Sequence, residues 1–181
     1  MNKEDNRRTR MTRKMLQNAL LDLLEEEPLS KINVSELSER ADLNRSTFYA
    51  HYRSPQELLD SIRDTLAQQA PQFDSSTKLE DKLSRYLAYI RENGRTFHIL
   101  FHLNERFQED MIQALAHYMD TTLLQLPKED SLQKSVQLYF LASGVAHSID
   151  LWIQKKYPAS ESEFAGWLLH YVRRTGNTLA E

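Results

Sequence analysis

The chain contains no cysteine. Disulfides and thiolate metal sites are therefore excluded, and a reducing compartment is permitted. Glycine and proline are scarce, at 4 and 5 among 181 residues. So few breakers leave little room for a turn-rich β fold and ample room for long helices. No apolar run approaches the roughly 18 residues that a membrane helix needs. The opening "MNKEDNRRTRMTRK" has charge but no apolar core behind it, so it does not read as a secretory signal. No internal repeat or low-complexity segment is visible. There is also no Gly-rich phosphate loop and no Ser/His/Asp spacing around a nucleophile elbow. No catalytic residue and no cofactor is assigned, and the chain does not read as an enzyme.

What is present is the composition of a folded, soluble protein, 40% hydrophobic and 27% charged, long enough for one large domain or two small ones. The net charge of −3 alone argues against a nucleic-acid partner, but its distribution argues otherwise. Residues 1–14 hold six Lys or Arg against two acids. Residues 1–53 hold ten basic and nine acidic side chains, and residues 54–181 hold thirteen and seventeen. A short basic arm on an acidic body suits docking on a polyanion by one end.

Apolar spacing is helical nearly throughout, which predicts an all-α protein of about nine helices. A first stripe, Met11 to Leu24, ends at Pro28. In "NVSELSERA", Asn33 and Glu36 stand in capping-box positions. Asn44 is a candidate N-cap for a short helix Arg45–His51, and Ser54, Pro55 and Glu57 open the next. Pro71 and "DSST" mark a boundary, giving domains 1–72 and 73–181, with residues 1–7 expected to be disordered. Beyond it, Asn93-Gly94 is read as a C-cap, Asn104 as an N-cap, Pro127 as a stop, and Asp130–Lys156 as one long helix. Ser160 and Glu163 form a capping box for the last helix.

The stretch "LNRSTFYAHYRSPQEL", residues 43–58, packs aromatic and cationic donors where a core helix would show aliphatics. Two short helices joined by a tight turn, the second polar, have the shape of a helix-turn-helix, whose second helix enters the major groove. Arg45, at the start of that helix, can reach base edges and suits guanine best. Ser46 and Thr47 are short enough to permit close approach. Tyr49, His51, Tyr52 and Arg53 can donate to phosphate oxygens. Ser54 and Pro55 begin a helix whose free N–H groups suit a phosphate. Arg7, Arg8, Arg10 and Arg13 form an additional backbone clamp. The rival reading is a solvated helix with snorkelling Tyr and Arg.

The run "VSELSERADLNRSTFYAHYRSPQELL" resembles the DNA-binding domain of TetR-type bacterial regulators, over about residues 8–58. The Thr-Phe-Tyr-x-His-Tyr core and the capped helix behind it fall at that family's spacing. A looser resemblance, through "YIRENGRTFHILF" and "LASGVAHSIDLWIQKKYPASESEF" to about residue 175, is to the regulatory domain of Firmicutes members. The resemblance implies that Arg45, Ser46 and Thr47 lie nearest base edges. It puts Tyr49 and His51 on phosphates and Ala50 near a thymine methyl. With Arg8, Arg10, Ser35, Arg53 and Ser54 these form the candidate DNA-contact set. Two positions depart from the pattern. Asp42 replaces the usual turn Gly, and Pro55 replaces a phosphate-contacting Lys for which Arg53 is the candidate substitute.

Three features of the C-terminal part carry functional readings. Phe97, Phe101, Phe107, Met111, Tyr118, Met119, Tyr139, Phe140 and Trp152 are candidate lining for an apolar or aromatic effector, or simply core. His98 and His102 are spaced i, i+4, and His147 and Asp150 i, i+3, but no third ligand is identified and no metal is assigned. Small residues around Gly144, with His147, Leu151, Phe164, Trp167, Leu168 and Tyr171, form a candidate dimer interface. The expected protein is a cytoplasmic, nucleoid-associated bacterial regulator, dimeric on a pseudo-palindromic DNA operator, without membrane contact. A repressor released by a small molecule is the first expectation. The alternatives are an activator without such a ligand, a helical metal sensor, and an enzyme using the C-terminal cavity.

Overall fold

The computed structural model describes residues 3–73, 76–124, 126 and 131–178, with side chains from residue 7 to residue 176 of these. Among the described residues there are nine α-helices and no strand, the all-α fold that the spacing of apolar residues predicts. The chain divides into two compact units, residues 1–69 and 70–181.

In the first unit, α1 (Lys3–Glu26), α2 (Val34–Arg40), α3 (Arg45–Tyr49) and α4 (Pro55–Gln69) surround one core. Leu16, Leu20 and Leu23 from α1, Leu37 from α2, Phe48 from α3, and Leu58 and Leu59 from α4 are all buried. The basic segment expected to be irregular is helical from Lys3 onward, while residues 1 and 2 lie outside the described part. A helix that begins so early carries Arg7, Arg8, Arg10 and Arg13 on a rigid rod rather than on a loose arm.

In the second unit, α5 (Leu79–Glu92) packs on α9 (Glu161–Thr178), and α6 (Gly94–Leu103) and α7 (Glu105–Tyr118) pack on α8 (Leu132–Gln154). The Asn104 side chain accepts the Phe107 N–H at 2.9 Å. Ser160 and Glu163 cap α9 reciprocally, with Ser160 N–H donating to Glu163 Oε2 at 3.0 Å and Glu163 N–H to Ser160 Oγ at 3.3 Å. A π-helical turn, Met119–Leu123, closes α7. The expected stop at Pro127 and helix start at Asp130 fall outside the described residues.

Asn93 is the C-cap of α5, as expected, but the glycine after it supplies no left-handed turn. Gly94 is the first residue of α6, and its φ is not positive. What requires glycine there is the Tyr157 hydroxyl, which a Cβ on Gly94 would strike. Tyr157 is delivered by two successive left-handed residues, Lys156 and Tyr157, with φ of 58° and 59°. Its N–H returns to Trp152 O at 2.9 Å, a Schellman-like closure of α8. Arg91 lies over both the Trp152 and Tyr157 rings, at 5.3 and 4.9 Å, and pairs with Glu161 at 2.7 Å. One guanidinium thus ties α5 to the corner between α8 and α9.

Candidate nucleic-acid interface

The reading helix is positioned by what it buries. Phe48 is the one fully buried side chain of α3 and locks the helix onto the domain core. With that face fixed, Arg45, Ser46, Tyr49 and Ala50 must point outward, and all four are exposed. Tyr49 keeps 60% of its surface accessible, a large apolar ring held edge-on to Phe48 at 5.6 Å. Thr47 and His51 sit half-buried at the edge of this face. Neither the Arg45 nor the Arg53 guanidinium makes an ion pair among the described residues, so both remain available to a polyanion.

The approach to α3 depends on local chemistry. The Asn33 side chain accepts the Glu36 N–H at 3.0 Å and starts α2. Arg40 at its other end is taken up by Glu26, in a two-pronged contact at 2.8 and 2.9 Å. That mutual hydrogen bond holds the Glu26 pKa below the ordinary carboxylate range and raises that of Arg40. The turn then passes through Asp42 at φ 54°, the left-handed conformation that the missing glycine would otherwise supply. Asn44 occupies the N-cap position of α3, but its side chain makes no capping bond. The helix is shorter than expected, ending at Tyr49 rather than His51.

Two expected contacts change. Tyr52 does not face outward: it is buried, with its ring 6.1 Å from Phe48, so it supports α3 rather than reaching phosphate. Ser54 is half-buried, and its hydroxyl already accepts the Glu57 N–H at 3.2 Å. Glu57 in turn takes the Arg53 N–H at 2.6 Å, one residue earlier than an ideal capping box. Ser35 at the start of α2 is half-buried, and Arg8 and Arg10 on α1 are exposed.

In the second unit the aromatic residues sort into two groups. Phe97, Phe101, Met119 and Trp152 are core, and Phe107, Met111 and Tyr118 are half-buried. Phe97 meets Phe107 edge-on at 5.1 Å, whereas Trp152 stacks on Phe164 at 4.9 Å. Tyr139 and Phe140 do not join them. Both are exposed on α8, on the face that also carries Leu132, Val136, Gly144, His147 and Leu151. With Leu168, Tyr171 and Val172 of α9, five of these line an apolar groove of about 920 Å³. The dimer-face expectation also needs revision. Phe164 and Leu168 are buried within the chain, while Trp167 and Tyr171 are exposed at 54% and 66%. Leu168 forms part of the groove wall, and Phe164 belongs to the core through Trp152.

These features define a class, an all-helical protein of two units whose N-terminal unit is a helix-turn-helix head. No protein-family model matches the chain. Over 61 residues it is 38% identical to YxbF of Bacillus subtilis (strain 168), an uncharacterized HTH-type transcriptional regulator. That match covers 33% of this chain and 16% of YxbF, so the chain spans under a fifth of that relative's length. It is 22% identical over 141 residues to DhaS of Lactococcus lactis subsp. lactis (strain IL1403), an HTH-type activator of the dhaKLM operon, covering 75% of each chain. Among solved structures, a TetR transcriptional regulator from Streptococcus agalactiae 2603V matches with a TM-score of 0.68 at 23% identity, over 93% of this chain and 97% of that one. The fold is that of TetR-family transcriptional regulators, as the residues around Arg45 lead one to expect.

Proposed function

We propose that this chain is a DNA-binding transcriptional regulator that acts in the cytoplasm as a homodimer on a pseudo-palindromic operator and catalyses no reaction. The observation that carries the proposal is α3. A five-residue helix pinned by Phe48 presents Arg45, Ser46, Tyr49 and Ala50 to solvent, with a guanidinium at its N-terminal end that makes no ion pair among the described residues. Arg45 reads base edges, Tyr49, His51 and Arg53 hold phosphates, and Arg8 and Arg10 add backbone contacts from α1. Arg53 serves where Pro55 cannot.

The dimer reading rests on the outer face of α8 and α9. Large apolar side chains stand exposed there, and among the described residues, beyond its own helix backbone, nothing lies within 4 Å of where a Cβ on Gly144 would be. A glycine inside a helix costs about 1 kcal/mol relative to alanine, and no contact among the described residues demands it. Close approach of a second copy does. An apolar or aromatic effector bound in the second unit, near Phe97, Phe107 and Tyr118, tunes DNA affinity through its different affinities for the DNA-bound and free states. DhaS is an activator, so activation is the second reading for the sign of control.

The test is a gel shift at matched salt on the DNA upstream of the chain's own gene. Arg45→Ala should weaken specific binding by about 1–3 kcal/mol and leave the melting temperature unchanged. Equal affinity of variant and parent for that DNA would remove the proposed reading helix.

A further inference from the structure

On the inner side of α8, away from the groove, three side chains converge that the spacing of the sequence does not bring together. His98 Nδ1 lies 2.7 Å from Asp150 Oδ1, and His102 Nε2 lies 2.8 Å from Asp150 Oδ2. The two imidazoles sit one helical turn apart on α6, with ring centroids 4.6 Å apart. The three candidate ligand atoms all lie within 4.8 Å of one another. Gln154, one turn beyond on α8, donates to Asp150 Oδ2 at 2.6 Å and fixes the carboxylate's orientation. His147, the residue that sequence spacing pairs with Asp150, is not part of this group. Its Nδ1 meets Ser143 O at 2.8 Å, and its ring packs on Phe101.

We propose that His98, His102 and Asp150 bind a divalent first-row transition ion, with zinc as the best-suited occupant and at least one coordination position left to solvent or to an oxygen ligand. The donor set is two imidazole nitrogens and one carboxylate oxygen. Imidazole suits zinc, copper, iron and nickel, whereas magnesium and calcium demand oxygen ligands. Three protein ligands with an open position is the arrangement of accessible zinc sites. Metal–ligand bonds of about 2.0–2.2 Å at octahedral or tetrahedral angles place neighbouring ligand atoms about 2.8–3.6 Å apart. The His–Asp separations of 2.7 and 2.8 Å must open slightly and any wider separation within the 4.8 Å spread of the trio must close, by rotation of the two partly exposed histidines about the fixed carboxylate.

Burial supports the same assignment. The Asp150 side chain is 6% exposed, against 40% for His98 and 48% for His102. The Asp150 carboxylate, held by His98, His102 and Gln154, is the anchor at the floor of the site. The two histidines form its rim, and the open side gives an ion a path from solvent. Metal binding would clamp α6 to α8, replacing two hydrogen bonds by coordinate bonds.

The experiment is a Co²⁺ titration of tag-free full-length protein after removal of metal by chelation, followed by visible absorption, then displacement by Zn²⁺. The expected result is one saturable Co²⁺ per chain, displaced by one Zn²⁺ and indifferent to excess Mg²⁺. His98→Gln and His102→Gln, at partly exposed positions, should each lower affinity at least tenfold, no less than removal of an outer partner of a metal ligand does. Zn²⁺ should raise the melting temperature of the parent and not that of the double variant. Absence of a saturable band, or equal affinity in the parent and both histidine variants, overturns the proposal and leaves the trio as a hydrogen-bonded strut between α6 and α8. Circular dichroism of the variants separates loss of metal from loss of fold.

Discussion

Phe140 gives the sharpest test of the proposed dimer and of its interface on α8 and α9. It is 66% exposed in the single chain and lies in the α8–α9 groove rather than in a closed cavity. An aromatic side chain buries on the order of 200 Å² when fully covered, so about 130 Å² of Phe140 is still available to a partner. At ~25 cal/mol per Å² that surface contributes about 3 kcal/mol per copy. A two-fold interface uses the residue twice, so Phe140→Ala removes about 3–6 kcal/mol of dimer stability, depending on how completely the ring is covered. That range corresponds to roughly a 10²–10⁴-fold rise in the dimer dissociation constant. Sedimentation equilibrium over a range of protein concentrations reads it directly. The monomer's own unfolding midpoint should stay put, because the ring contributes little to its core. A variant that dissociates no more readily than the parent would refute the placement of the interface on this face. A variant whose fold is lost along with its dimer would refute the placement of Phe140 outside the core.

Two further outcomes follow from the first unit and from the α5–α6 corner. Replacing Arg8 and Arg10 by Ala should make the slope of log K against log salt shallower by about 0.9 for each phosphate that is no longer neutralised, counted twice in a dimer; an unchanged slope would take the start of α1 off the DNA. Gly94→Ala should destabilise the second unit by about 1–3 kcal/mol through overpacking against Tyr157, and Tyr157→Phe in the same chain should recover part of the loss, both read by urea denaturation. A Gly94→Ala protein as stable as the parent would mean that Tyr157 does not approach α6 as described.

Local rules carry much of this fold. The cap at Asn33 accepts Glu36 N–H, that at Asn104 accepts Phe107 N–H, and that at Ser160 accepts Glu163 N–H, all where three-residue spacing puts them. The buried leucines of α1 and α4 follow the helical period, and Asp42 takes the positive φ that its place in the turn demands. The misreadings share one physical cause. A periodic pattern tells which side of a helix is apolar, but not whether that side meets the same chain or another. Phe164, Leu168 and Val172 turn inward while Trp167 and Tyr171, on the shoulder of the same stripe, stay in solvent. Tyr139 and Phe140 do line a groove, but an open one on the outer face of α8 and α9 rather than a closed cavity beside Phe97 and Phe101. Contacts between residues far apart in sequence are equally invisible. Asp150 meets His98 and His102, 52 and 48 positions away, rather than His147 beside it. A helix does stop at Asn93-Gly94, but that Gly94 makes room for the Tyr157 hydroxyl is hidden, because Tyr157 comes from a distant turn.

The open space around Gly144 separates two properties that most residues combine. A methyl group at that position would meet nothing within 4 Å among the described residues beyond its own helix backbone, so alanine there should leave the monomer's fold as it is. It would nevertheless stand in the path of any copy that docks along α8. On the proposed dimer face, position 144 would act as a steric lock: a bulky residue there would refuse the parental partner and admit only a chain with a matching recess. If the genome encodes a sister chain of the same fold, changes at this one position could keep the two populations from mixing without any loss in the yield of folded protein.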